Sequence, residues 1–196
     1  MAKAGRPVGA KQGQAPHFSK AEIKVLLAVA KANKRNGVRN HAFLQVCFSS
    51  ALRVAEPLAF TRKMVEAADG SIVEVLSLPK ANSKNGKARL VFLNKSARAA
   101  LKEYLAVLPQ APETKLFSFS SNYASWLVSK ICKDANLPNH SAHSIRRSVL
   151  TLAIDELGLT LPQVQQLADH ATPQQTLAYL RKDPKPIADK LRNISF

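Results

Sequence analysis

The sequence predicts an α+β protein, mostly helical, with one small antiparallel sheet of three strands. Three observations predict it. Apolar residues recur at helical spacing from Phe18 to Ser50 and again from Ser96 onwards. Between them, residues 62–93 change to the period of two that marks half-buried strands. Two turn dipeptides, Asp69-Gly70 and Asn85-Gly86, punctuate that middle stretch. With 46% hydrophobic residues, 196 residues suffice for one core plus tails.

Residues 1–16 hold three Gly, two Pro and neither an aromatic nor an acid, and read as a disordered basic arm. Within it Gly5-Arg6-Pro7 resembles the core of a minor-groove AT-hook, which makes Arg6 a candidate DNA contact; a plain solvated tail is the alternative. Ser19-Lys20-Ala21-Glu22 is a capping box, with Phe18 placed to staple it. The helix it starts turns Ile23, Leu26, Leu27 and Ala30 inward. A second helix, residues 40–50, is mostly buried. Arg53 and Glu56, three apart, fall on one helical face among apolar neighbours and by themselves read as a structural ion pair.

Val65–Ala67, Ile72–Leu78 and Arg89–Leu93 read as the three strands. Lys80, Lys84 and Lys87 surround the second turn, where a lysine either reaches a groove or a leaving oxygen or is merely solvated. Ser96–Leu108 is an amphipathic helix, and residues 109–116 form a loop. A helix from Asn122 to Asn136 places Trp126, Leu127, Ile131 and Cys132 in the core, with Lys130 and Lys133 on its wet side. The helix after Ser141 carries His143 and Arg146 on one face and Val149, Leu150, Ala153 and Ile154 in its buried stripe; Gly158 stops it. Thr160 and Thr172 cap two further helices, the second with proline at its first position and Gln175 at its third. Tyr179 lies in that last helix, which Pro184 and Pro186 break, leaving a short tail segment.

The net charge of +16 and the pI near 10.2 favour a polyanionic partner, most simply nucleic acid. Residues 1–40, with nine Lys/Arg and one acid, carry half of that charge. Cys47 and Cys132 stand far apart in apolar company, which suits a reducing cytosol and excludes a CxxC metal pattern. No apolar run follows the basic N-terminus, and none approaches the roughly 20 residues of a membrane helix. No carboxylate cluster is suited to a metal, and neither metal nor cofactor is expected.

The chemistry concentrates between His143 and Tyr179. Two histidines, an arginine and a lone tyrosine make a poor core but a workable phosphodiester site. Arginine clamps negative oxygens, histidine moves protons near neutral pH, and tyrosine offers an oxygen nucleophile. A phenol with a pKa of about 10 needs nearby positive charge or a base to attack.

Four stretches carry a resemblance. SALRVAEPLAF resembles the first arginine box of the tyrosine recombinases (the phage integrase family), SKNGKARLVFL their lysine hairpin, HSIRRS their H-x-x-R box, and LADHATPQQTLAY the region of their second histidine and nucleophile. The similarity runs from about Phe18 to Tyr179. It implies the catalytic-domain fold of that family over residues 17–182, with 183–196 as a tail that docks in trans or packs on its own chain. It implies that Tyr179 attacks the scissile phosphorus and forms a 3′-phosphotyrosyl bond, while Arg53 and Arg146 hold the non-bridging oxygens. Lys84 would protonate the leaving 5′ oxygen, His143 would assist proton transfer, His170 would bind a phosphate oxygen, and Glu56 would support the pocket. Lys80, Lys87 and Arg147 are further candidate DNA contacts; Arg147 points away from Arg146 on its helix.

The implied function is site-specific recombination without metal or cofactor: integration, excision or inversion. The implied partners are double-stranded DNA, a tetramer of this chain on two DNA sites (monomer or dimer when free) and accessory DNA-bending proteins, in the cytoplasm at the nucleoid. Type IB topoisomerase-like relaxation and a catalytically silent DNA-binding factor are the alternatives. Two residues depart from the family pattern: Ala51 and Asp169 stand where glycine is usual. Asp169 would either raise the pKa of His170 or repel phosphate. Only about 17 residues precede the catalytic pattern, so a minimal recombinase without a separate core-binding domain is expected, similar in size to the fimbrial-switch invertases, with the basic arm partly replacing that domain.

Overall fold

The computed structural model of the chain describes residues 15–79 and 88–177. Arg6 with residues 1–14 of the arm, the Asn85-Gly86 turn with Lys80, Lys84 and Lys87, and the segment holding Tyr179 lie outside the described residues.

Helix α1 (Lys20–Lys31) starts where the capping box puts it. Ser19 Oγ accepts from the Glu22 N–H at 3.2 Å, and the Glu22 carboxylate accepts from the Ser19 N–H at 2.7 Å. Phe18 is fully buried, and its N–H donates to Ser148 Oγ at 2.6 Å, fixing the entry of the chain against a distant helix. Helix α2 (Gly37–Ser49) follows a tight corner. A Cβ at Gly37 would stand 2.1 Å from the Lys31 carbonyl oxygen, so only glycine lets the corner close.

After α2 the chain reverses at Ala51 (φ 49°) and runs through a 3₁₀ turn (Glu56–Ala59) into a single helical turn, α3 (Arg62–Val65). Strands β1 (Val75–Leu78) and β2 (Arg89–Phe92) pair antiparallel, Val75 opposite Phe92 and Leu78 opposite Arg89. Among the described residues the sheet thus has two strands, not the expected three. Val65–Ala67 contributes only an isolated bridge, Glu66 to Ile72. The reason is Arg62. Its guanidinium donates to Glu66 at 2.6 Å and to the carbonyls of Leu105, Leu108 and Pro109 at 2.5, 3.2 and 3.0 Å, which holds residues 62–66 in a helical turn. The Asp69-Gly70 turn forms as expected, with Gly70 at φ 76°.

Helices α4 (Lys95–Leu105), α5 (Ser121–Asp134), α6 (Ala142–Asp155), α7 (Leu161–Ala168) and α8 (Pro173–Leu177) complete the described chain. One large core gathers α1, α2, α4, α5 and the inner face of the sheet around Phe18, Phe43, Leu44, Phe60, Leu101, Phe117 and Val128. Trp126, expected in that core, is 54% exposed. Ala124, Leu127, Val128, Ile131 and Cys132 already fill the inward stripe of α5, and Trp126 falls outside it, its ring 5.2 Å from that of Tyr123. A second, smaller core of Ala51, Leu150, Ala153, Val164 and Ala168 joins the reversal after α2 to α6 and α7. None of the helices among the described residues is long and apolar enough to cross a membrane.

Replacing Gly37 with Ala should lower stability by about 1–3 kcal/mol, since the new methyl collides with backbone. Gly158→Ala meets nothing within 4 Å but keeps φ 62°, so its loss should be about 1–2 kcal/mol from the left-handed backbone alone. Urea unfolding measures both; a Gly37→Ala protein as stable as wild type would contradict the packing of the α1–α2 corner.

Candidate active site

Helix α6 brings Arg146 to the small core, where the residue is 8% exposed. Its guanidinium donates through Nη1 to the Ala51 carbonyl at 2.8 Å and through Nη2 to the Ala168 carbonyl. Ala51 can offer that carbonyl because of its left-handed backbone, and Ala168 because it ends α7. One side chain therefore ties together three segments that are far apart in sequence.

Two residues past Ala51 stands Arg53. Its backbone N–H donates to Glu56 Oε2 at 2.7 Å and its Nη1 to Glu56 Oε1 at 2.9 Å. The expected Arg53–Glu56 pair is formed, but by a turn and not by one face of a helix, because α2 stops at Ser49 and the chain reverses before Arg53. Glu56 is 4% exposed and faces a second guanidinium, Arg89 Nη2, at 3.7 Å. Arg53 Nη1 also lies 3.7 Å from Asp169 Oδ2.

Asp169 closes α7 in the left-handed conformation (φ 51°, ψ 50°). Such a backbone suits glycine best and Asp or Asn next, so the departure at this position is tolerable. The cap turns His170 into the site. The His170 N–H donates to the Gln165 carbonyl at 3.1 Å, and the Gln165 side-chain amide donates to the His170 carbonyl at 3.2 Å. The ring Nδ1 lies 2.9 Å from the hydroxyl of the fully buried Thr176. In the neutral ring one nitrogen donates and the other accepts, so the contact with Thr176 sets the role left to Nε2.

Burial pulls the His170 pKa down from 6.5 to about 4, and the positive charges of Arg146, Arg53 and Arg89 add to the effect. Asp169 does act upward, as one of the two readings from sequence has it, but burial and the arginines outweigh it. His170 is therefore neutral near pH 7. Burial also lowers the pKa of Arg89, against the pull of Glu56 and Asp169; arginine nonetheless stays charged.

A cleft of about 490 Å³ opens beside this cluster, between Arg89, Leu90 and Phe92 on β2, Pro162 and Gln165 on α7, and Asp169 and His170 at the cap that follows. The structure thus brings together four of the residues picked out from sequence: Arg53, Glu56, Arg146 and His170. His143 sits one turn before Arg146 on α6 but is exposed, and no hydrogen bond or ion pair joins it to the cluster among the described residues. Arg147 is half-buried on another side of the helix. Lys84 and Tyr179 lie outside the described residues. Arg89, Asp169 as a partner of Arg53, and Thr176 were not anticipated as site members. The one available signal for Arg89 was a lone charge in an otherwise apolar strand. No group of three His, Cys, Asp or Glu among the described residues is arranged to hold a metal ion.

Beside the cleft, three guanidiniums and a neutral histidine gather around a left-handed cap on a mostly helical fold with a small sheet, an arrangement whose chemistry suits an oxyanion. The chain belongs to the phage integrase family, whose profile matches residues 17–185. It is 31% identical over 193 residues to tyrosine recombinase XerD of Caulobacter vibrioides, covering 90% of this chain and 59% of that one. Its fold is similar to the crystal structure of XerA recombinase (TM-score 0.73, 18% identity, 95% of this chain and 68% of that chain). It is likewise similar to XerH site-specific recombinase bound to difH substrate in a pre-cleavage complex (TM-score 0.70, 20% identity, 94% and 56%). The chain spans about half the length of the curated relatives it matches.

The neutral histidine has a consequence for stability. The unfolded chain, with a His pKa near 6.5, takes up a proton that the folded site resists until about pH 4. Stability contributed by His170 is therefore complete above pH 6.5 and is lost as pH falls through that window. Urea unfolding at pH 7 and pH 5 should show a larger drop for wild type than for His170→Gln; equal drops would contradict a buried neutral imidazole.

Proposed function

We propose that this chain is the catalytic domain of a site-specific DNA recombinase that cleaves and rejoins strands through a 3′-phosphotyrosyl bond. The observation that carries the reading is the convergence of Arg53, Arg146 and His170, from three separate stretches of chain, on one pocket. Membership of the phage integrase family supports it, as does likeness in fold to a recombinase bound to its DNA substrate. The charge of +16 suits a duplex partner.

In this mechanism the Tyr179 oxygen attacks the scissile phosphorus, the P–O5′ bond breaks, and the strand's 3′ phosphate stays on the tyrosine. The phenolic proton leaves as the bond forms, with His143 assisting, and the departing 5′ oxygen takes a proton from Lys84. Attack by a 5′ hydroxyl reverses these steps and releases Tyr179, so the bond energy is conserved and no ATP is needed. The transition state gathers charge on its equatorial oxygens, where two fixed guanidiniums stabilise it more than the ground state. His170, neutral near pH 7, donates a ring N–H to one of those oxygens. Four protomers on two DNA sites, assisted by DNA-bending proteins at the nucleoid, complete the proposal.

A duplex nicked beside the cleavage point tests it, since loss of a short fragment traps the covalent intermediate. Wild type should give protein–DNA adduct on a denaturing gel, and Tyr179→Phe none. Absence of adduct with wild type on duplexes of randomised sequence would rule the reading out.

Arg53→Lys keeps the charge but loses the planar fork. It should slow adduct formation by about 10²-fold, the usual loss for one such donor, with little change in melting temperature. A rate near wild type would remove Arg53 from the catalytic group.

A further inference from the structure

Arg89 is the one cation of the cluster that the mechanism above leaves without a task. It opens β2 on the inward side of the strand, and its side chain is 7% exposed. The strand thereby turns an arginine inward while Leu90 and Phe92 face out at 57% and 47% exposure. Nη2 reaches the Ser50 carbonyl at 3.4 Å and Glu56 Oε2 at 3.7 Å. Nε and Nη1 are buried with no hydrogen-bond partner.

Stability alone does not select such a residue. Each unmet buried N–H costs on the order of 1–3 kcal/mol, and buried ion pairs are commonly replaceable by apolar side chains without loss. Arg62 shows what a structural arginine looks like in the same fold: its Nε, Nη1 and Nη2 all donate to carbonyls or to Glu66.

What Arg89 does have is a second positive charge on the Glu56 carboxylate, with Nη2 3.7 Å from Oε2. Arg53 already hydrogen-bonds both oxygens, Oε2 through its backbone N–H and Oε1 through Nη1. With Arg89 present, the charge of the carboxylate is divided between two cations. Without it, the full charge of Glu56 would fall on Arg53, quenching the field that Arg53 presents to an anion.

We propose that Arg89 is a positioning residue for strand cleavage: it acts through Glu56, sharing the charge of the carboxylate so that Arg53 stays incompletely neutralised. This rests on the recombinase reading. Arg89 stands in the wall of the cleft, but its Nε and Nη1 are sealed from solvent and its Nη2 is turned to Ser50 and Glu56, so its task is with the carboxylate.

The test is single-turnover adduct formation on the nicked duplex by wild type, Arg89→Met, Arg89→Lys, Glu56→Gln and the Arg89→Met/Glu56→Gln double variant, with duplex Kd and Tm measured for each. Arg89→Met should cleave at least tenfold more slowly, with Kd within about threefold of wild type and Tm unchanged or raised. Arg89→Lys should recover part of the rate. The double variant should be no slower than Glu56→Gln, since a residue acting only through another adds nothing once that other is gone.

Arg89→Met cleaving at the wild-type rate would overturn the proposal, and so would a double variant slowed by the product of the single effects. If Arg89→Met does not fold, Arg89→Lys decides: a reduced rate in a folded protein supports the role and a wild-type rate refutes it. Absence of adduct with wild type would sink the recombinase reading and this proposal with it. Failure confined to the Arg89 variants would sink this proposal alone.

Discussion

Everything at the site depends on one guanidinium placed between two backbone carbonyls. Arg146 donates to Ala51 and Ala168 and so holds the turn that carries Arg53 against the cap that carries His170. A backbone carbonyl in a desolvated place requires a donor, so those contacts are constraints on the fold and not decoration. The small core of Ala51, Leu150, Ala153, Val164 and Ala168 is built of little besides small and branched side chains, which lets the three segments approach closely enough for one arginine to span them. The same residue that assembles the pocket is also one of the charges in it. Convergence and chemistry are therefore coupled: a change that loosens the junction also misaims Arg53 and His170.

The electrostatics follow from that geometry. Three arginines against Glu56 and Asp169 leave a surplus of positive charge in a partly buried space, and burial first, with that surplus adding to it, keeps His170 neutral. A tetrahedral anion entering the cleft would relieve this imbalance. Low local dielectric makes both the empty-site imbalance and the gain on binding larger than they would be in water. Asp169 meanwhile supplies Arg53 with a carboxylate partner at 3.7 Å, so an incoming phosphate must share that guanidinium.

Much of this was legible in the sequence, for definite reasons. Capping boxes at Ser19 and Thr160 specify helix starts by local hydrogen bonds, and the structure has both helices where the caps put them. Arg53 and Glu56 stood out as charges among apolar neighbours, Arg146 and His170 as members of a set that makes a poor core, and the family resemblance joined the four. What escaped was set by tertiary contact. Val65–Ala67 reads as a strand, but Arg62 reaches the end of α4 and holds residues 62–66 in a helical turn. Trp126 has the composition of a core residue and the position of a surface one. Arg89 belongs to a strand in which both alternate sets are largely apolar, so no pattern tells which face turns in. Only the pairing of Leu78 with Arg89 and the place of Glu56 decide it.

The central claim is that this cationic pocket receives the scissile phosphate. The His170 imidazole reports on it directly, because its depressed pKa arises partly from uncompensated positive charge. Nitrogen-15 NMR of labelled histidine should find the ring titrating near pH 4 in the free protein. Its pKa should move upward when a duplex with an ordinary scissile phosphate is bound, and stay low when that phosphate is replaced by a neutral methylphosphonate. A His170 pKa that is the same with both duplexes, each shown to be bound, would contradict the account.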